Sequence, residues 1–481
     1  MPVPTPVLPT ADRHVVNRFS GGVTPQLTAD VLRVGGALAW FDAQVDAGAR
    51  AGGDDTVADW WPDLHLSPSA VWQRHTTDVR GGHQVSEDYR KQLMLRRIVS
   101  PLQVLEVMTD FWENHLHVTT AAVGTMFPWR ADYGRVIRRH ALGRFDDMLA
   151  EAVPHPAMLT YLNGSGSTAS HPNENLGREL LELHTVGIGR FTEDDVKSAA
   201  RILTGWKVEW NPTWSSVFVP RDHWLGQVLV KGFLDLNLLS SAGTLTARFL
   251  RHLAHHPDTA SHLAHKLAVK FVRDDPSPAL VARLAKVYLD SDTRIAPVLK
   301  ALVRDPEFRQ SVGAKLRDPV EDVVATHRVL RTSFAVPSGP DDSSAANTIL
   351  EATEPLGLTP HAWTRPDGAP QDNAAWASAA RAMGSFQVHW SMANAAWPTQ
   401  GITYRPIRSW VPRYPIVFSE LVDHLARNLL GRPSDASLLD ACAVVTGLRP
   451  GTRVTRTHSL VTRGLPSLLT TVLDSPGHYY R

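Results

Sequence analysis

The hydrophobic residues of this chain recur mainly at the three- and four-residue spacing of an α-helix. After Thr24 and Pro25, this pattern predicts a first helical segment (Leu27, Val31, Leu32, Leu38, Trp40, Phe41 and Val45). Helical patterning also dominates residues 85–150 and 243–330. Residues 206–234 instead concentrate Trp and Val, which favours strands or an irregular aromatic loop. We therefore predict a mainly α, large multi-helical globular fold with a small irregular or β-containing insertion near residues 206–234.

Clusters of proline, glycine and serine indicate how the chain is divided. Prolines interrupt residues 1–12, and the run from Ala335 to Ser344 has the composition of a linker. A chain of 481 residues is also longer than one hydrophobic core usually supports. We predict an extended N-terminal arm over residues 1–12, a main helical domain over 13–334 that carries the candidate site, and a C-terminal helical region over 345–481.

Composition and charge restrict the classes of function. Hydrophobic residues make up 43% of the chain and charged residues 20%, which is typical of a soluble globular protein. The 49 Lys and Arg residues nearly balance the 48 Asp and Glu residues, so the overall charge does not favour nucleic acid or an anionic membrane as a partner. A single cysteine, Cys442, excludes an internal disulfide and a thiolate metal cluster within one chain. A metal would therefore be bound by histidines and carboxylates.

Several common sequence signals are missing. No apolar stretch reaches the length of a membrane span, and the N-terminal arm has neither the basic nor the apolar region of a secretory signal. Cytoplasmic residence is the default expectation. The sequence also contains no phosphate-binding loop, dinucleotide fingerprint or nucleophile elbow, so nucleotide-dependent chemistry has no positive support.

The first group of residues that could carry chemistry lies in the segment 108–117. On a helical wheel His115 joins the apolar side, whereas Asp110, Asn114 and His117 lie on another side. Two interpretations of His115 stay open. It is either a core histidine hydrogen-bonded to a carbonyl or carboxylate, or a metal ligand or general base.

The second group lies in the segment 172–187. Leucines form an apolar stripe at helical spacing, and a polar stripe beside it contains Asn175, Arg178, Glu179 and Glu182. A solvated, salt-bridged surface face would show the same spacing. Because the stripe follows a Gly/Ser-rich loop and precedes Gly187, a helix that ends at a turn is the other interpretation.

The two segments together suggest two kinds of site. His184 lies roughly opposite Glu179 and Glu182 on an ideal wheel, so the three cannot bind one ion unless the helix unwinds near Gly187. His115 could join either glutamate across two packed helices, as in metal-binding helical bundles. A site of His115, Glu179, Glu182 and His184 would suit a divalent metal such as Fe, Mn or Zn. Alternatively, the carboxylates could act as acid and base without a metal.

A third group, residues 221–226, combines charge with aromatic residues in the least helical part of the chain. His223 is a candidate substrate-binding residue there, although histidines in such loops usually lie at the surface. The histidine-rich segment 252–273 has the spacing of an ordinary amphipathic helix.

An ordered series of short motifs resembles a bacterial family catalogued as domain of unknown function 1800. The motifs occupy residues 14–19, 108–115, 155–158, 173–185, 192–196, 200–206 and 266–276. A family pattern of His-Asp followed by Gly and Lys is only partly kept, as His223 and Gly226. The resemblance implies a mostly helical fold but no reaction, and many relatives look exported. It points to a set of polar residues (Asp110, Asn114, His115, Asn173, Glu174, Asn175, Arg178, Glu179, Glu182 and His184).

Two functional hypotheses follow. In the first, the chain is a hydrolase-like enzyme with a cleft between the helices of residues 108–118 and 173–185. The predicted catalytic residues are Glu179, Glu182, His115 and Asp110, and those predicted to bind a small-molecule or polymer substrate are Asn114, Asn175, Arg178 and His223. In the second, the chain is a noncatalytic scaffold or accessory protein whose polar residues form a hydrogen-bond network that fixes helix packing.

Overall fold

The computed structural model describes residues 5–51, 56–121, 126–238 and 242–481, and it confirms a mainly α fold that is 58% helical. The α-helices are α1 (Thr10–Arg18), α2 (Pro25–Arg33), α3 (Ala37–Ala51), α4 (Pro68–Thr76), α5 (Gly82–Val99), α6 (Gln103–His115), α7 (Phe127–His140), α8 (Phe145–Ala152), α9 (Pro156–Tyr161), α10 (Glu174–Glu179), α11 (Glu193–Ile202), α12 (Ala242–Ala254), α13 (Pro257–Phe271), α14 (Pro278–Asp290), α15 (Ile295–Leu302), α16 (Pro306–Gln310), α17 (Pro319–Leu330), α18 (Ala379–Ala393), α19 (Phe418–Leu429), α20 (Ala436–Thr446), α21 (Leu465–Leu473) and α22 (Pro476–Tyr479). Short π-helical turns occupy Leu180–His184 and Leu460–Gly464. Within the described ranges, no helix is both long and apolar enough to cross a membrane.

Strands are short and form antiparallel pairs. They are β1 (Trp206–Glu209) with β2 (Ser215–Phe218), β3 (Val228–Val230) with β4 (Phe233–Asp235), β5 (Ser333–Phe334) with β6 (Ile402–Thr403), and β7 (Ile416–Val417) with β8 (Arg453–Val454). In the first hairpin Trp206 lies opposite Phe218, and in the second Val228 lies opposite Asp235. The first two hairpins confirm the β-containing insertion predicted near residues 206–234.

Polar side chains determine where several helices begin. At α11, Thr192 accepts a hydrogen bond from the amide of Asp195, and the Asp195 carboxylate accepts one from the amide of Thr192. Asp318 and Glu321 form the same reciprocal cap at α17. Asn173 caps α10 by accepting a hydrogen bond from a first-turn amide at 3.1 Å. These caps fix the first turns of helices that border the polar regions described below.

Buried hydrophobic side chains form two large cores. The first runs along the chain from Leu8 to Phe308 and contains the apolar side of α6. The second combines residues 57–98 with residues 320–473. Because α5 belongs to the second core and α6 to the first, the two cores alternate along the chain. The domain ranges 13–334 and 345–481 stay predictions.

The N-terminal segment is helical sooner than expected. The predicted extended arm, residues 1–12, lies partly outside the described residues, and α1 already begins at Thr10. The Arg13 amide donates a hydrogen bond to the Pro9 carbonyl at 2.8 Å, which closes the first helical turn. The segment before α1 contacts α19, since the Thr5 hydroxyl accepts a hydrogen bond from the amide of Asn428 at 3.2 Å.

Candidate functional site

Helix α6 is buried on nearly all sides, and arginines of neighbouring helices hold its carboxylates. Glu113 accepts a hydrogen bond from the Tyr89 hydroxyl at 2.6 Å and pairs with Arg130 at 2.7 Å. Asp110, predicted to be catalytic, pairs with Arg97 at 3.0 Å. Both carboxylates therefore help to hold α6 between α5 and α7. A catalytic role for Asp110 stays a prediction.

The two segments predicted to form a site meet through a reciprocal pair of hydrogen bonds. Nε2 of His115 lies 3.1 Å from the carbonyl oxygen of His184, and Nδ1 of His184 lies 3.0 Å from the carbonyl oxygen of His115. The His115 ring also packs against Trp112 and Phe145. This geometry agrees with the interpretation of His115 as a core histidine bonded to a carbonyl. It also ties the end of α6 to the π-helical turn at residues 180–184.

Burial favours the neutral form of both imidazoles. Burial holds the pKa of His115 well below its usual value, and the positive charge of Lys266 adds to this effect. Burial likewise lowers the pKa of His184 to about 4. One ring nitrogen of each residue, Nδ1 of His115 and Nε2 of His184, has no hydrogen-bond partner among the described residues. A role for either histidine as a ligand or base stays a prediction.

The helix that carries the second segment changes from α to π geometry. Helix α10 ends at Glu179, and Leu180–His184 forms a π-helical turn. The Thr185 hydroxyl donates to the first carbonyl of this turn at 2.7 Å, and Gly187 follows with a φ of +95°. Because a π turn changes the angular spacing of side chains, the ideal wheel that placed the histidine opposite the two glutamates no longer applies. Such turns occur frequently at functional sites.

Glu179 immediately precedes this turn and Glu182 lies within it, and neither has a partner among the described residues. Both are half-buried, and neither carboxylate forms a hydrogen bond or ion pair with another described residue. Burial raises the pKa of Glu179, and the negative charges of Glu182 and Asp367 raise it further. A carboxyl group with a raised pKa is suited to donate a proton near neutral pH.

A loop segment, Trp363–Ala369, packs against the end of α6 and against α9. Asn114 binds the backbone of Ala369 with both amide atoms, at 2.7 Å to its nitrogen and 2.9 Å to its oxygen. Nε2 of His117 donates to the first carbonyl of the segment at 2.7 Å, and the Tyr161 hydroxyl donates to the second at 2.9 Å. Asn114, predicted to bind substrate, therefore positions this segment.

The same segment supplies a third carboxylate. Nε1 of Trp363 donates to one oxygen of Asp367 at 3.0 Å, and Arg365 pairs with the other at 3.0 Å. After burial, the charge of Asp367 is the next cause that raises the pKa of Tyr161, to about 12. Asp367 is therefore close enough to Tyr161 and Glu179 for their charges to interact.

A lysine completes the region. Lys266 of α13 is half-buried and forms no ion pair with another described residue. Burial lowers its pKa to about 8, against the opposing effect of Asp367. We use the name acidic cleft for the set of Glu179, Glu182, Tyr161, Lys266 and Asp367, in which the charge of Asp367 acts on Glu179, Tyr161 and Lys266, and that of Glu182 acts on Glu179. Burial raises the pKa of Glu179 and of Tyr161 and lowers that of Lys266, and such displaced pKa values are typical of acid–base sites.

Other residues predicted to bind substrate lie apart from the acidic cleft or are already paired. Arg178 forms a bidentate ion pair with Glu193, at 3.0 and 2.6 Å, on the exposed side of α10. Asn175 is exposed. His223 is buried rather than at the surface, because Nδ1 lies 2.9 Å from a backbone carbonyl and Nε2 lies 3.0 Å from the amide oxygen of Asn237. Their predicted roles in substrate binding stay predictions.

The donor atoms of the four residues considered as metal ligands do not converge. Among the described residues, only Asp322, His389 and His478 bring three potential metal-ligand atoms of histidine, cysteine or carboxylate side chains within 4.8 Å of one another. In the predicted set, one nitrogen of His115 and one of His184 face main-chain carbonyls instead.

Three residues of the acidic cleft lack a local motif that predicts a site. Tyr161 and Asp367 stand in otherwise ordinary helix-end and loop sequence. Lys266 lies in a helix whose pattern is that of any amphipathic helix, although it begins the last of the ordered motifs. The place of Lys266 at the start of this motif is the one feature of the sequence that could have pointed to it.

Comparison with known proteins identifies a family. The family model described as protein of unknown function (DUF1800) matches residues 14–480. The match therefore extends well beyond residue 276, where the short motifs end, and it spans both hydrophobic cores. No curated protein and no solved structure matches the chain.

Proposed function

Because the chain belongs to DUF1800, a family of proteins of unknown function, we propose its activity from the acidic cleft alone. The proposed function is that of a hydrolase-like enzyme that uses carboxylate acid–base catalysis. One observation carries the proposal: Glu179 and Glu182 are half-buried, near each other, and unpaired within the described residues. Carboxylates held away from water are usually paired, so an unpaired set has a cost that function can explain.

The roles follow from the local electrostatics. Glu179, whose pKa is raised by burial, would donate its proton to the leaving-group oxygen. Glu182 would take a proton from the water that attacks the electrophilic carbon, and exchange with solvent would restore both groups. Lys266 would stabilise negative charge that develops on the substrate. His115 and His184 would act as positioning residues, since they hold the π turn against α6.

The charge of the cleft indicates the substrate class. With Glu179 protonated as the acid, the charges of Glu182 and Asp367 are balanced by Lys266 and Arg365, so the acidic cleft has no net positive charge that would attract a phosphate or carboxylate substrate. An uncharged, hydroxyl-rich substrate with an acetal or ester bond fits better, because carboxylate pairs commonly hydrolyse such bonds. In the proposed mechanism the two carboxylates carry out both proton transfers. A metal-assisted mechanism would require Glu179 and Glu182 to share an ion with His115 or His184. The carboxylate oxygens and imidazole nitrogens of these residues do not form a group of potential ligand atoms in the described part of the chain.

A panel of nitrophenyl glycosides and nitrophenyl esters tests the proposal, with nitrophenyl phosphate as the anionic comparison. We expect turnover of an uncharged substrate and none of the phosphate. Glu179→Gln should lower kcat/KM by about 100-fold or more, which is the usual contribution of a general acid. Glu174→Gln is the matched control, because Glu174 is exposed on the same helix, and it should leave kcat/KM within about twofold. No turnover across the panel, or equal rates for Glu179→Gln and wild type, would contradict the proposal.

A noncatalytic scaffold is the second candidate, and the reciprocal histidine pair and the ion pairs of α6 favour it. The melting temperature of Glu179→Ala separates the two. The catalytic proposal expects a small change, since Glu179 forms no hydrogen bond with the described residues. A large fall would assign Glu179 to a structural network.

A further inference from the structure

Three buried side chains from three helices meet within the second part of the chain. Oδ1 of Asp322, in α17, lies 3.2 Å from Nε2 of His389, in α18, and 3.2 Å from Nε2 of His478, in α22. All three side chains are almost fully buried. Two imidazole nitrogens therefore converge on one carboxylate oxygen.

Other polar groups hold these three side chains in position. Oδ2 of Asp322 accepts a hydrogen bond from Ser385 at 2.6 Å and one from Arg381 at 3.1 Å, which leaves Oδ1 facing the histidines. Nδ1 of His389 lies 2.7 Å from a carboxylate oxygen of Asp474. Arg381, Ser385 and His389 are spaced by four residues along α18, so one face of that helix supplies all three.

We propose that Asp322, His389 and His478 bind one divalent transition-metal ion of the Zn²⁺ class. In a tetrahedral site with bonds of about 2.0–2.1 Å, neighbouring ligand atoms lie about 3.3 Å apart. The two observed separations of 3.2 Å match this geometry. Two imidazoles with one carboxylate form a common protein ligand set for zinc and for non-haem iron.

Two of the surrounding contacts resemble those that accompany metal ligands in other proteins, and Nε2 of His478 also lies 3.1 Å from the Thr326 hydroxyl. A histidine that binds a metal through Nε2 typically donates its Nδ1 hydrogen to a carboxylate, as His389 can to Asp474. The carboxylate ligand is typically hydrogen-bonded through its second oxygen, as Asp322 is.

Metal titration of the full chain tests the proposal. The protein is stripped with a chelator and then titrated with Zn²⁺, and separately with Co²⁺ as a spectroscopic probe. We expect one Zn²⁺ per chain with a Kd below about 1 µM, and a visible Co²⁺ absorption band of tetrahedral intensity. His389→Ala and His478→Ala should each weaken Zn²⁺ binding by about 100-fold or more. Asp474→Asn keeps all three ligands and should weaken binding by about 10- to 100-fold.

Two controls separate this site from others. His327→Gln changes a buried histidine outside the proposed ligand set, on the same helix as Asp322, whose Nδ1 lies 3.0 Å from the Thr332 hydroxyl, and this variant should bind Zn²⁺ like wild type. Glu179→Gln should also bind Zn²⁺ unchanged, so this site and the acidic cleft can fail independently. If the alanine variants do not fold, Asp474→Asn and Ser385→Ala remain as tests. The absence of a stoichiometric ion, or binding that survives His478→Ala, would show a hydrogen-bonded network without metal and overturn the proposal.

Discussion

Replacing Glu113 by Gln tests whether buried charge holds α6, the helix whose last residue, His115, is hydrogen-bonded to the π turn. Glu113 is fully buried, and its oxygens accept hydrogen bonds from Tyr89 of α5 at 2.6 Å and from Arg130 of α7 at 2.7 Å. Glutamine keeps an acceptor for the tyrosine but leaves the guanidinium without its carboxylate. Arg130 would then retain a hydrogen bond to the Val118 carbonyl at 3.0 Å, which does not neutralise its charge.

The pKa of Glu113 gives the size of the effect. Burial alone would raise this pKa, but Arg130 and the Tyr89 hydroxyl outweigh burial and lower it from 4.5 to about 2. At about 1.4 kcal/mol for each tenfold change in a proton equilibrium, this corresponds to roughly 3 kcal/mol. Removing one member of a buried ion pair typically costs about 3–5 kcal/mol. We therefore expect Glu113→Gln to lower the free energy of unfolding by about 3 kcal/mol.

Urea unfolding at pH 7 and at lower pH measures this value and its cause. Because the folded-state pKa lies below the unfolded value, the stabilisation is complete above about pH 4.5 and is lost as the pH falls toward 2. The difference between wild type and Glu113→Gln should shrink over the same range. The double variant Glu113→Gln with Arg130→Met should recover part of the loss, since it removes the uncompensated cation. A loss below about 1 kcal/mol at pH 7 would refute the assignment of Glu113 as a buried anchor of α6.

Three further predictions concern neighbouring polar groups. Arg178→Ala should leave the melting temperature unchanged within error, because its ion pair with Glu193 is exposed; a marked fall would show that the pair is structural. Lys266→Met should raise the free energy of unfolding at pH 7 by about 1 kcal/mol. Burial lowers the pKa of Lys266 to about 8, so the charged amine destabilises the folded protein below pH 8. This destabilisation disappears as the pH rises past 10.5, the pKa of lysine in the unfolded chain. If Lys266→Met still stabilises the protein above pH 10.5, this explanation is wrong. Burial lowers the pKa of His184 to about 4, so the free energy of unfolding should fall as the pH drops from 6.5 toward 4. In urea unfolding, His184→Gln should make this dependence on pH less steep, and an unchanged dependence would show that His184 is not its source.

The fold class was predictable because helical periodicity is a local signal. The apolar positions that repeat along α3, such as Trp40, Phe41 and Val45, are the residues buried in the first core. The Trp- and Val-rich stretch at 206–234 likewise forms two hairpins. The alternation of the two cores along the chain was not predictable, because it depends on which helix packs on which.

Only one wall of the acidic cleft was predictable. Glu179 and Glu182 lie on one helix and share a motif, so their proximity follows from spacing. Lys266 and Asp367 reach the cleft from distant segments, and a single sequence contains no record of such contacts. The π turn was not predictable either, because helical periodicity does not distinguish α from π geometry; the sequence indicates only that Gly187 follows the helix, with a φ of +95° in the structure.

The buried set around Asp322 was missed for a related reason. Asp322, His389 and His478 come from three helices that are far apart in the sequence. A partial signal was present in α18, where Arg381, Ser385 and His389 repeat every four residues and so share one face. A polar stripe on a helix that is otherwise apolar in pattern indicates a buried network or a ligand set, and only the positions of its partners distinguish the two.

Charge pairing separates the polar groups that support the fold from those that suggest function. On α6, Glu113 is matched by a buried cation, so its removal should destabilise the protein. In the acidic cleft, Glu179 and Lys266 lack such partners within the described residues, so the fold bears the cost of their burial without compensation. Replacing them should therefore change stability little or raise it, while activity falls. That opposition is characteristic of catalytic groups, because sites optimised for function are often suboptimal for stability. If Glu179 and Lys266 had only structural roles, replacing them would lower stability and activity together.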